Sequence, residues 1–146
     1  MTQPADIIRA ARFSLAIDGH EIASFTELRA IVTEIELPPH HHSDPSSGGP
    51  RTPKQLGTLK PATVVLKRGM QASLELWTWH DAALQGAVNS ARRSCTLTMV
   101  GPEGTPVAKY WLEKAFPTKL ELSGAGQTLV EVVTFVCEYV QRLPPT

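Results

Sequence analysis

The chain has 146 residues, 42% hydrophobic and 19% charged, with fourteen basic side chains against fourteen acidic ones. That hydrophobic share is too high for a disordered chain, and the length is that of a single domain, here 1–146, able to bury about two thirds of the surface its unfolded form exposes. Zero net charge excludes a nucleic-acid binder that works through bulk charge, and it leaves little self-repulsion to keep copies apart, which fits a protein that lives in an assembly.

The first apolar block reads as strands. Phe13, Leu15 and Ile17 alternate with Ser14 and Ala16, Asp18-Gly19 is a hairpin dipeptide, and a second alternating run covers Ile22 to Leu28. A third run, Ala30 to Leu37, stops at Pro38-Pro39, because proline cannot donate to a ladder. Residues 38–61 form a Pro, Gly, Ser and His tract, longer than an ordinary loop and so a candidate arm that orders on assembly.

Thr63 to Lys67 reads as a strand ending at Arg68-Gly69. The period then changes: Leu74, Trp77, Asp81, Leu84 and Val88 fall at spacings of three and four, one face of a helix, with Ser73 as its cap and Arg92 and Arg93 near its far end. Trp77 and Trp79 are the expected anchors of this helix. Cys95 to Val100 and Pro106 to Phe116 read as strands around a Gly101–Gly104 turn, and Pro117 is expected to interrupt the second. Lys119 to Leu122 reads as a short strand before a turn at Ser123–Gly126. Thr128 to Val140 is a single long strand with both faces apolar, which both need cover. A flexible tail, 143–146, closes the chain.

These elements predict a mainly β fold, a rolled antiparallel sheet or small barrel of six or seven strands with one flanking helix. One helix cannot cover every strand face, so identical neighbours are the expected source of the missing cover.

Catalytic chemistry finds no anchor. His40, His41 and His42 read as a solvated loop, since a structured metal site needs ligands converging from several directions. His80 and Asp81 point about 100° apart on a helix and cannot act as a dyad. Glu131 and Glu138 lie on opposite strand faces and cannot pair. Phosphate-binding, nucleophile-elbow and zinc-protease motifs do not occur. Catalytic, cofactor and metal residues are accordingly assigned to none. Trp77, Trp79, Trp111 and Tyr110 lack the basic groove of a base-stacking site and read as core or interface. Cys95 and Cys137 are expected to be buried, reduced thiols. No run approaches the roughly 20 apolar residues of a membrane span, so no membrane insertion is expected. Met1–Asp6 does not read as a secretory leader.

The order of motifs resembles the tube proteins of contractile phage tails and related bacterial contractile injection systems. The likeness runs over about residues 12 to 140. It is carried by Phe13–Gly19 leading into Ala23–Leu28, by Val65–Gly69 before Ser73–Trp79, by Arg92-Arg93 followed by Gly104–Ala108, Trp111 and Ala115–Lys119, and by Glu131–Glu138. The family's glycine after the Phe25–Leu28 run is replaced by Arg29-Ala30.

The resemblance implies a β-barrel with a flanking helix, hexameric rings stacked into a hollow tube, and no enzymatic activity or cofactor. It implies a surrounding sheath, a baseplate or spike hub and a tube terminator as partners, and phage DNA or a toxin effector as lumen cargo. Assembly would take place in the bacterial cytoplasm, ahead of incorporation into a virion or injection particle. Phe25, Leu28, Trp77, Trp79, Trp111 and Phe135 are the candidate packing or subunit-interface residues, and Asp18 to Glu21 a candidate ring rim. The rival readings are a single-ring adaptor of the same fold, a monomeric small-ligand barrel, and a metal enzyme using His40–His42.

Overall fold

The computed structural model describes residues 7–37 and 58–145. In chain order the strands are β1 (Arg12–Ile17), β2 (His20–Phe25), β3 (Glu27–Val32), β4 (Ile35–Glu36), β5 (Thr58–Leu59), β6 (Ala62–Gly69), β7 (Arg93–Val100), β8 (Pro106–Ala125), β9 (Thr128–Cys137) and β10 (Tyr139–Leu143). Two helices, α1 (Glu75–Leu84) and α2 (Val88–Ala91), lie between β6 and β7.

One antiparallel sheet runs β2–β1–β7–β8–β10, and a second runs β3–β6–β9–β8. They share β8, whose first half belongs to one sheet and whose second half belongs to the other. Two corners roll the sheets over one core. At the first, Thr26 sends its N–H to Lys67 O at 2.9 Å, so the chain passes from β2 in one sheet to β3 in the other. At the second, Lys114 adopts a φ of 49°, and its N–H is taken by Ser94 Oγ at 3.2 Å. A non-glycine residue at positive φ is uncommon, and here it is the extra residue of a bulge that bends β8 between the sheets.

The core follows the period-two pattern. Leu15, Phe25, Val64, Leu66, Leu97, Leu112, Val133 and Phe135 are fully buried between the sheets. On β9 the residues from Glu131 to Cys137 alternate buried and half-buried, so one face is closed and the Val130, Val132, Thr134 and Val136 face is half-covered. The hairpin turn is at Asp18-Gly19, with φ of 51° and 81°, the two positive values that a tight primed turn needs.

The rolled antiparallel sheet with a flanking helix is as the sequence predicts, but several boundaries move. Among the described residues ten strand segments replace six or seven: three long runs are broken, Thr58–Leu59 is an added strand, and the runs on either side of Pro117 join into β8. Ile22–Leu28 is split at the Thr26 corner. Ala30–Leu37 stops at Val32 and resumes at Ile35. Thr128–Val140 is cut at Glu138, whose N–H turns to Glu113 O at 2.9 Å as the chain moves from β9 to β10. Pro117, conversely, does not interrupt β8. It lies beyond the end of the β7 pairing, where its missing N–H leaves no ladder bond unmade. The turn placed at Ser123–Gly126 shifts to Gly126-Gln127, with Ala125 and Thr128 still paired. Arg29 is the unpaired residue of a bulge between Leu28 and Ala30, which makes the bend that the sequence lacks a glycine for. Part of the 38–61 tract is the strand Thr58–Leu59, paired to β4; residues 38–57, and with them His40–His42, lie outside the described residues.

The helix is turned from its expected orientation. The stripe of Leu74, Trp77 and Leu84 faces solvent at 71%, 50% and 61% exposure, whereas Leu76, Trp79 and His80 are buried. Polar tips decide between two stripes of similar apolarity. The Trp79 indole N–H donates to Ala91 O, and His80 Nδ1 sits 2.7 Å from Pro117 O, so both buried rings have partners on this side. Trp77 therefore does not anchor the helix. The N-cap position is Leu74, which makes no side-chain cap bond, but Ser73 just before it accepts the N–H of Glu75 on its Oγ at 3.4 Å, so the expected serine does serve the first turn. The helix does not reach Val88: Gly86, at φ 89°, donates to Ala83 O at 3.0 Å, and Ala87 donates to Ala82 O at 3.1 Å, a glycine-terminated stop.

Candidate assembly surfaces

Three of the six candidate residues meet in the interior. Phe25 and Phe135 pack edge to face with ring centroids 6.4 Å apart and planes at 87°. Trp79 lies 5.5 Å from Phe135 on the helix side. This aromatic cluster ties α1 to both sheets. Leu28 is half-buried against the same core from β3. Trp77 and Trp111 do not join it: Trp77 is on the outward side of α1, its ring 5.9 Å from that of His80, and Trp111 is half-buried on the outer face of the first sheet, on a rung with Thr96 and Gln141.

Beside Phe25 sits a pair that the sequence reading missed. Arg68 of β6 and Glu131 of β9 face each other on one rung, Nε to Oε1 at 2.8 Å, with side chains only 3% and 10% exposed. The guanidinium also lies 5.4 Å above the Phe25 ring, and its Nη1 points to Gln71 Oε1 at 3.4 Å. Strand parity carries the signal: Arg68 shares its face with Ala62, Val64 and Leu66, and Glu131 shares its face with Val133, Phe135 and Cys137. Glu138, outside, pairs instead with Arg92 at 2.7 Å.

The unsatisfied surface is of two kinds. Among the described residues, β2, β3 and β10 each pair on one side only, so each leaves a row of backbone N–H and C=O groups without a strand partner. Such edges are templates for another strand. The second half of β8 also pairs on one side only, with β9, and at its start His80 of α1 caps the Pro117 carbonyl. Apolar side chains are exposed at both ends of the roll. Val32, Ile35, Leu37, Leu59 and Tyr139 gather at the Ala62 end of β6, and Met70 and Leu129 gather at its Gly69 end. The Asp18–Glu21 turn is exposed, with Glu21 held by Arg12 at 2.8 Å.

The chemistry of the described residues is quiet. Among them, no group of three or more His, Cys, Asp or Glu side chains could hold a metal ion, and no helix is long and apolar enough to cross a membrane. Cys95 and Cys137 are both free and buried. Burial pushes each thiol up to about 12, and for Cys95 the neighbouring Cys137 adds to the shift. Buried side chains from both sheets and α1 form one apolar cluster.

Three solved structures show the same fold. A chain in the anti-feeding prophage tube terminating cap aligns at TM-score 0.64 and 16% identity, covering 98% of this chain and 95% of that one. A chain in the PVC extracellular contractile injection system's extended sheath-tube complex aligns at 0.60 and 18%, covering 95% and 93%. Hcp1 from Flavobacterium johnsoniae aligns at 0.53 and 10%, covering 89% and 93%. None of the curated proteins is significantly similar in sequence. The family model for the T4-like virus tail tube protein gp19 matches residues 9–141, from before β1 into β10, and the chain belongs to that family.

Proposed function

We propose that this chain is the structural inner tube protein of a phage tail or contractile injection machine, a single domain that builds hexameric rings stacked around a lumen for DNA or effector passage. The observation that carries the reading is the combination of tail tube family membership over residues 9–141 with strand edges left open in one copy, those of β2, β3 and β10 among them. A ring in which neighbours pair these edges removes the hazard that each edge poses to a solitary subunit. Trp77 and Trp111, outward aromatics on the helix and the first sheet, are assigned to contacts with neighbours, and Phe25, Leu28, Trp79 and Phe135 to the packing that holds the subunit's shape. The role is structural, with no catalytic step and no cofactor. Sheath, baseplate and terminator components are the partners that this role brings, and assembly takes place in the bacterial cytoplasm.

A second reading is favoured by a specific observation, the similarity to a chain of a tube terminating cap. There the chain would form one ring at the tube's end. Electron microscopy of the purified protein separates the two: tubes of many rings support the shaft role, and uniform single rings support the terminal one.

A further inference from the structure

We infer that the buried Arg68–Glu131 pair is a register key: it selects one alignment of β6 against β9, and so sets the stagger between the two margins of the second sheet.

The β6–β9 ladder is the one that needs a key. It runs from Ala62–Cys137 to Gly69–Val130 without a bulge. Its neighbours in the sheet are pinned in other ways. β3 meets β6 across the Arg29 bulge, just after the Thr26 corner. β9 follows β8 through the Gly126 turn, and a further bulge lies between Pro117 and Lys119. Turns and bulges both fix register. β6 and β9 share neither, and the two key residues stand 63 positions apart in the chain.

Apolar pattern narrows the alignment without completing it. On the core face, β6 carries Ala62, Val64 and Leu66, and β9 carries Val133, Phe135 and Cys137. A slip of one residue turns every side chain to the wrong face. A slip of two keeps both faces apolar and exchanges one apolar neighbour for another, which cores accept at small cost. The charges oppose it. In one slipped alignment Arg68 stands opposite Val133 and Glu131 opposite Met70; in the other, Arg68 stands opposite Leu129 and Glu131 opposite Leu66. Each parts the two charges by about 7 Å along the strands and leaves them buried and poorly paired. The observed rung joins Nε to Oε1 at 2.8 Å with both side chains buried.

The guanidinium is also held from outside the ladder, by the Phe25 ring at 5.4 Å and by Gln71 Oε1 at 3.4 Å. Phe25 ends β2 beside the corner residue Thr26, whose N–H goes to Lys67 O. One side chain thus ties the β2–β3 corner, β6 and β9 to the same height. The second sheet runs β3–β6–β9–β8, so its outer strands are related to each other through this ladder. A slip of two would move β3 by about 7 Å relative to β8. On the tube reading these margins are surfaces that neighbours meet. The key itself belongs to the single subunit and stands without that reading.

The test measures register within one chain. Lys67→Cys is combined with Val132→Cys, at its rung partner, or with Thr134→Cys or Val130→Cys, two residues off on either side. All four positions are half-buried on the outward face, so the core is untouched. Each pair is made in the full chain with the key intact and in the Arg68→Met, Glu131→Leu double variant. Both are oxidised with diamide, and the intrachain disulfide is quantified by peptide mass spectrometry. With the key intact, the rung pair should form at least about tenfold more disulfide than either offset pair, since diagonal positions lie beyond a disulfide's usual reach. The double variant should fold, and its preference should drop to about threefold or less as an offset pair gains. A double variant that keeps the tenfold preference would overturn the inference, because register would then be set elsewhere. One that does not fold would overturn it too, because the pair would then carry the fold and not its alignment. Every disulfide counted lies within one chain, so the outcome is independent of whether copies form rings, which particle mass reports separately.

Discussion

Arg68 reaches Glu131 across a single rung between β6 and β9, Nε to Oε1 at 2.8 Å, on the apolar core face of both strands. Removing one member of a buried pair leaves the other charge uncompensated, at about 3–5 kcal/mol. Glu131→Gln is expected to lower subunit stability by that amount in urea denaturation. The double variant Arg68→Met with Glu131→Leu, which removes both charges, should recover most of the loss. A Gln variant as stable as the parent would show that the pair carries no such weight.

The two helix tryptophans should part company. Trp79 is buried against Phe135 and donates to Ala91 O, so Trp79→Ala removes packing and a satisfied polar tip together, at about 3–5 kcal/mol. Trp77 is half exposed, and Trp77→Ala should change subunit stability by about 0.5 kcal/mol or less, as a surface substitution does. Its effect should appear instead in the fraction assembled at low protein concentration. Equal destabilisation by the two substitutions, measured by thermal unfolding, would contradict the observed helix orientation.

Much of this architecture was readable from residue order. Alternation around Leu15, Leu97 and Phe135 marks the strands and their buried faces, and Asp18-Gly19 marks the first turn, because both signals are local. What failed was decided by distant partners. Two stripes on α1 are about equally apolar, and only Ala91 O and Pro117 O, supplied by other elements, select the one bearing Trp79 and His80. The alternation from Val136 to Val140 continues unbroken through Glu138, yet the chain changes partners there because β6 ends opposite Cys137. Gly86, at φ 89°, is a local stop signal, but Val88 prolongs the stripe of Leu74, Trp77 and Leu84 beyond it. The Arg68–Glu131 pair was legible in parity alone, once each charged residue is placed on the face of its apolar neighbours.

The two thiols give a pH prediction. Folding raises Cys95 and Cys137 from 9.0 to about 12, chiefly by burial. The folded state thus holds protons that the unfolded state has released, so this contribution to stability is whole below pH 9 and is lost as pH climbs from about 9 towards 12. Native protein at pH 8 should leave a thiol-reactive dye such as Ellman's reagent unreacted, and denaturant should release both thiols. Rapid labelling of the native subunit, or stability that does not fall through that alkaline window, would contradict the burial of these residues.

The mass and form of the purified protein bear most directly on the tube reading. Light scattering on the full chain, followed by electron microscopy of the same sample, should show ring-sized particles and stacked tubes with a central channel. A monodisperse single subunit that stays monomeric as concentration rises would contradict it, because the open edges of β2, β3 and β10 would then need no neighbour.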